Sequence, residues 1–290
     1  MKTYYQQVKF IPAAFFVFIL LSINIFAQSE NTAEAHHQRG YDFHNRRCLD
    51  DASREYAQVL KLDPPRDLTA EEWKLVRTFA PRLYTHAKEF FPLKDFAVIL
   101  HPTERLIAYH LMWADDVDFP EDNDPSDHEV IWVQYSSDKK SLEKIWTYFH
   151  GHILDGREEA LRDARAHAMR PRVNVQWGKH GSLLIGWEEM TVQQNNATVT
   201  LKQYNESTFK QLSKGTRMQN HPLSVRFGWP QKFDGDWNNF ITFSRYLDPL
   251  ILLNKMKMAK VTRWNNATIN QHFLPYNFRA KTEWPFESKR

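Results

Sequence analysis

Between Asp95 and Trp177 this chain of 290 residues repeats one pattern. Short runs rich in β-branched and aromatic residues are cut by Pro, Gly, Asp or Ser: DFAVIL (95–100), LIAYHLMW (106–113), EVIWVQY (129–135), KIWTYFHGH (144–152) and RVNVQW (172–177). Runs of this length and composition predict strands. Five of them, with only GREEALRDARAHAMR (156–170) reading as a helix among them, predict a mainly β protein. A single β-sandwich with helices appended at its N- and C-terminal ends is the simplest architecture. Ten Trp, eleven Tyr and twenty Phe suit such a core, and exposed rings could stack on sugars or lipid headgroups.

Helical signals flank the strands. DASREYAQVLKL (51–62) places Tyr56, Val59 and Leu60 on one face and ends at Asp63-Pro64-Pro65. Thr69 with Glu72 three residues on is a capping box, which predicts a second helix that Pro81 stops. Residues 28–50 are polar and aperiodic, and read as a disordered or loosely attached lead. Thr198 to Tyr204 reads as a strand and Leu247 to Lys257 as a short helix.

The first residues predict export. Lys2 and Lys9 precede an apolar run from Ile11 to Phe26, and Ala27 precedes the polar Gln28, the layout of a secretory signal peptide cleaved near Ala27. The expected division is a signal peptide (1–27), a polar lead with a helical N-terminal extension (28–75), and a β-sandwich domain with a C-terminal helical or loop extension (76–290). A secreted or periplasmic protein with no transmembrane segment after signal removal follows. Without residues 1–27 the net charge falls from +3 to +1, which gives no electrostatic case for nucleic acid. The lone Cys48 excludes an intramolecular disulfide. Asn196, Asn205 and Asn266 match the glycosylation acceptor pattern, a weak hint of surface loops.

DDVDFPEDNDPSDHE (115–129) holds eight carboxylates in fifteen positions and no Lys or Arg. Charges this dense repel, and a divalent cation neutralises them directly. Side chains alternate along a strand, so Asp127 and Glu129 share a face with Ile131, Val133 and Tyr135, while His128, Val130 and Trp132 point the other way. Asp127 and Glu129 are the leading ligand candidates. Asp124 and one of Asp115 or Asp116 come next. Asp118, Glu121 and Asp122 read as solvated neighbours. Oxygen donors favour calcium or magnesium, with manganese or zinc as further options.

His150 and His152 read as two imidazoles on one strand face. His180 lies in a GKHGS turn, and His110 precedes the acidic segment. His150 and His180 are the candidate general bases should either approach the acids.

FAPRLYTHAKEFFP (79–92), LIAYHLMW, the acidic segment, DHEVIWVQY and WGKHGS together resemble the vacuolar protein sorting-associated protein 62-like family. More distantly they are similar to the necrosis-inducing, ethylene-inducing-peptide-like toxins. The resemblance runs from Phe79 to Ser182. It implies a β-sandwich with a divalent cation, in which Asp127 and Glu129 stand at ligand positions. Asp124 stands where the toxins have His, which makes the site more calcium-like and departs from the toxin signature.

Three functions compete. The first is a secreted cation-binding module that recognises a glycan or lipid headgroup at the metal. The second is a metal-dependent hydrolase or lyase acting on an extracellular polymer. The third is a purely structural cation. Oligomeric state is left open.

Overall fold

A computed structural model describes residues 31–117, 126–212, 240–273 and 278–287. Three helices open it: α1 (Ala33–Asn45), α2 (Leu49–Leu62) and α3 (Ala70–Thr78). The strands β1 (Arg82–Thr85), β2 (Leu93–Leu100), β3 (Leu106–Trp113), β4 (Asp127–Tyr135), β5 (Leu142–Phe149) and β6 (His152–Asp155) follow. Then come α4 (Glu158–Ala166), β7 (Arg172–Val175), β8 (Ser182–Leu184), the hairpin β9 (Thr191–Gln194) and β10 (Ala197–Thr200), and α5 (Leu201–Leu212). The chain closes with β11 (Arg245–Leu247), α6 (Leu250–Met256), β12 (Ala259–Val261) and α7 (Asn265–His272).

The fold is β-rich. A six-stranded sheet in the order β12-β2-β3-β4-β5-β6 faces a four-stranded sheet in the order β11-β1-β7-β8. Phe96, Tyr109, Ile131 and Val133 of the larger sheet share one apolar core with Leu83, Val173, Val175 and Leu184 of the smaller. The outer face of the larger sheet is also covered. Ala97, Ile99, Val130 and Trp132 pack there against Ile269, Phe273, Phe278 and Trp284. With both faces dry, β3 is buried at all eight positions, so apart from His110 its sequence is apolar on both faces instead of alternating.

Residues 33–45 correct the expectation of a disordered lead. They form α1, whose buried face carries Ala33, Gly40 and His44. That face is small or polar, so hydrophobic periodicity could not reveal it. Gly40 lets α1 approach α2 closely, since a Cβ there would meet the Tyr56 ring at 2.7 Å. The capping box on α3 is present: Thr69 Oγ1 accepts from the Glu72 N–H at 3.3 Å, and Glu72 Oε2 accepts from the Thr69 N–H at 2.8 Å. The segment 198–204 is half strand and half helix, β10 running directly into α5.

Two further expectations change. His150 and Gly151 do not lie within a strand. They form the two-residue turn between β5 and β6, with φ of 45° and 85°, and Phe149 pairs with His152 across it. His150 and His152 are therefore not two imidazoles on one strand face. Of the glycosylation acceptors, Asn196 is exposed in the β9–β10 turn, whereas Asn205 and Asn266 are buried and bonded to backbone carbonyls, which leaves them no room for a sugar. Cys48 is exposed just before α2.

Candidate functional site

Antiparallel pairing of β3 and β4 sets Trp113 opposite Asp127 and Leu111 opposite Glu129. These side chains point between the two sheets, where Leu111, Trp113 and Ile131 join the shared core. Strand alternation thus delivers two carboxylates to one end of the sandwich interior, and the second sheet delivers a histidine to meet them. The turn from β7 to β8 folds back through a hydrogen bond from the His180 N–H to the Gln176 carbonyl at 2.9 Å. His180 then stacks flat on Trp113, with ring centres 4.3 Å apart and planes 7° from parallel.

His180 is fully buried between two acids. Its Nδ1 donates to Asp127 Oδ2 at 2.8 Å, and its Nε2 lies 3.4 Å from Glu89 Oε1. The second distance is an ion pair without hydrogen-bond alignment, and Nε2 makes no hydrogen bond. Burial works against a charged imidazole, but Glu89 and Asp127 together overcome it and push the His180 pKa up to about 10. Burial likewise opposes ionisation of Asp127, and the bond to His180 holds it below the usual carboxylate range. His180 is a fixed imidazolium at neutral pH.

Glu129 stands in a different state. It is 3% exposed, and its Oε2 has no hydrogen-bond partner. Burial drives its pKa well above the ordinary value against the positive fields of Lys281 and His180, and the negative fields of Asp127 and Asp116 add to the rise. Burial thus opposes ionisation of Glu129, whereas the bond to His180 favours the charged form of Asp127. Asp127 is partly open, with 14% of its side chain exposed.

Glu89 and the glycine turn tie the loops together. Glu89 Oε2 accepts from the Gly178 N–H at 2.9 Å, and the Gly178 carbonyl accepts from the Val117 N–H at 2.8 Å. Gly178 has φ +68°, and a Cβ there would stand 2.8 Å from Val117 Cγ1, so only glycine fits. This bond holds the chain just beyond β3, where Asp115 is buried and its Oδ1 accepts from the Asp116 N–H at 2.9 Å.

His150 joins from the β5–β6 turn. Its Nε2 donates to Gln176 Oε1 at 2.6 Å, Gln176 donates to Asn205 Oδ1, and Asn205 donates to the Leu201 carbonyl at 2.9 Å. Its ring stacks on Tyr204, with centres 5.6 Å apart. His150 is close enough for its field to act on Asp127. His110 faces away from the acids. It is buried on the outer face against His128 at 3.0 Å, and burial pushes its pKa down to about 4.

The structure therefore places Asp127, Glu129 and His180 at one end of the sandwich, with Asp116 near enough for its field to act on Glu129, Asp115 next to it in the chain and His150 at the edge. Asp124, Asp118, Glu121 and Asp122 lie outside the described residues. Glu89, Gln176 and Gly178 were not among the sequence candidates. Glu89 is the acid in the AKEFFP stretch of the resemblance, and its isolation beside two Phe residues is the one signal that marks it. Among the described residues, no three His, Cys, Asp or Glu side chains stand together in an arrangement that could hold a metal ion.

No family model and no curated protein matches the chain. One solved structure is similar: Necrosis and Ethylene inducing Protein 2 from the causal agent of cocoa's Witches Broom disease. It is 12% identical, covers 41% of this chain and 69% of its own, and has a TM-score of 0.30. At that score the similarity carries no functional inference, and the resemblance to the protein 62-like family gains no support.

Proposed function

We propose that this chain is an exported protein that binds a divalent cation at the β3–β4 strand ends and recognises a glycan or lipid headgroup there. The observation that carries the reading is Glu129, a buried acid with an unpartnered oxygen among further carboxylates. An uncompensated group of this kind costs free energy, and proteins keep such groups where something binds. Glu129 and Asp127 would be the principal donors; the described residues supply no third side chain in ligating position, so further donors would have to come from the segment 118–125, which lies outside the described residues and includes Asp124. The donor set is oxygen-rich and hard, which fits calcium or magnesium better than manganese or zinc. A bound cation would supply a positive centre for the hydroxyls of a sugar or the phosphate of a headgroup.

The hydrolase or lyase reading draws less support. A general base must be unprotonated to work, and His180 keeps its proton up to about pH 10. His150 is engaged with Gln176. Export rests on residues 1–27, which lie outside the described residues. Among the described residues no helix is long and apolar enough to cross a membrane.

Calorimetric titration with calcium and with magnesium tests the site. The expected result is saturable binding that releases a proton, because the ion forces Glu129 to ionise. Glu129→Gln should abolish the proton release and weaken binding at least about tenfold. Glycan and lipid arrays with and without chelator test the partner. A set of hits unchanged by chelator would remove the metal-dependent recognition.

A further inference from the structure

The C-terminal residues 278–286 form neither helix nor strand. Their Phe278 and Trp284 are buried on the outer face of the larger sheet, in one apolar layer with Val130 and Trp132. A buried segment without regular structure must find partners for its backbone elsewhere. Side chains supply them here. His44 Nε2 donates to the Phe278 carbonyl and Asn266 Nδ2 to the Lys281 carbonyl, each at 2.7 Å. The Lys281 N–H donates to Asn266 Oδ1 at 3.1 Å. The Glu283 carbonyl accepts from Trp132 Nε1 at 3.3 Å and from Asn265 Nδ2. The Glu283 carboxylate accepts from the backbone N–H groups of Asn265 and Asn266 at the start of α7.

His44 is the tie that can change its charge within an enclosed site. It comes from α1 and is fully buried, edge-on to the Tyr56 ring at 5.8 Å and to the Phe278 ring at 5.3 Å. The Phe278 carbonyl can only accept, so Nε2 carries a proton, while Nδ1 faces the Tyr56 hydroxyl at 3.4 Å. A second proton would charge the ring among aromatic neighbours. Burial holds its pKa down at about 4, and Arg47 beyond the end of α1 adds to the fall, against the Phe278 carbonyl and Glu283. From β4 the titratable group near it is His128.

We propose that residues 278–286 are an acid-released strap over the outer face of the larger sheet, with His44 as its latch. α1 stays behind when the strap leaves, because Gly40 seats it on the Tyr56 ring of α2. Opening hydrates the His44 imidazole and restores its ordinary basicity, while Phe278 and Trp284 leave the apolar layer of the sheet. A buried neutral base favours the closed strap above 6.5, its ordinary value, and loses that advantage as pH falls toward about 4. Between pH 7.5 and pH 5 the latch alone should raise the open population roughly 30-fold, and the rise levels off below pH 4. His37 works in the opposite sense. Burial lowers its pKa, but Glu283, 2.5 Å from its Nε2, overcomes this and raises it, so acid favours that contact. The latch is therefore read by comparing wild type with His44→Gln.

Hydrogen exchange of the mature chain at pH 7.5 and pH 5, with each amide's rate divided by its intrinsic rate, reads the opening. On acidification the Lys281, Asn265 and Asn266 amides should lose protection roughly 30-fold more in wild type than in His44→Gln, whose amide still offers a donor to the Phe278 carbonyl. The Tyr109 and Ile131 amides, paired between β3 and β4, should stay protected at both pH values. Strap and sheet amides opening together would mean global unfolding and would overturn the inference. Equal loss of protection in wild type and variant would overturn it too. NMR titration of the wild-type His44 ring gives a reading that needs no variant. A pKa near 4 supports the latch, and one near 6.5 overturns it.

Discussion

Replacing His180 by Gln removes the imidazolium that sits between Asp127 and Glu89. The rise of the His180 pKa from 6.5 to about 10 measures how much the folded protein favours the imidazolium. At about 1.4 kcal/mol per unit, the preference amounts to about 5 kcal/mol. The side chain is fully buried, so solvent does not screen it. Losing one partner of a buried charge pair costs a similar amount, about 3–5 kcal/mol. A raised histidine pKa stabilises fully below its unfolded value and ceases to do so as pH climbs through the folded value. The stability difference between wild type and His180→Gln should therefore be about 5 kcal/mol near pH 6 and shrink steadily toward pH 10. Urea unfolding followed by tryptophan fluorescence, with chelator present, reads it directly. A difference below about 1 kcal/mol, or one that does not change with pH, would refute the buried imidazolium.

Further outcomes follow from the same geometry. Gly178→Ala should destabilise by about 1–3 kcal/mol in thermal unfolding, because it imposes both a positive φ and a clash with Val117. Burial holds His44 and His110 down at about 4, so stability should fall as pH drops from 6.5 toward 4. His110→Phe should flatten part of that acid limb in denaturant titrations. Thr69→Ala should cost about 1 kcal/mol through loss of the α3 cap, with no effect on cation binding.

Much of the strand layout was legible because it rests on local rules. The strand LIAYHLMW runs over the residues expected of it, and the alternation that put Asp127 and Glu129 on the Ile131 face holds in the structure. The terminal segments were less legible. A helix packed through Ala33, Gly40 and His44 has no apolar stripe, and its partners at Phe278 and Trp264 lie more than two hundred residues away. Glu89 and Gln176 escaped for a related reason. Each acts through tertiary contacts with residues far along the chain, which no spacing rule encodes. His180 was singled out as a possible base, but its two carboxylate neighbours raise its pKa and keep it a cation at neutral pH instead. Sequence reading could place the residue in a turn, yet could not supply the neighbours that fix its charge.

The cation at the β3–β4 strand ends is most directly tested by the metal content of the purified mature protein, measured by mass spectrometry without added metal and again after dialysis against calcium. The account predicts about one calcium or magnesium per chain, and a loss of that ion in Glu129→Gln while the fold persists. No divalent ion at either stage, or the same content in Glu129→Gln as in the wild type, would contradict it.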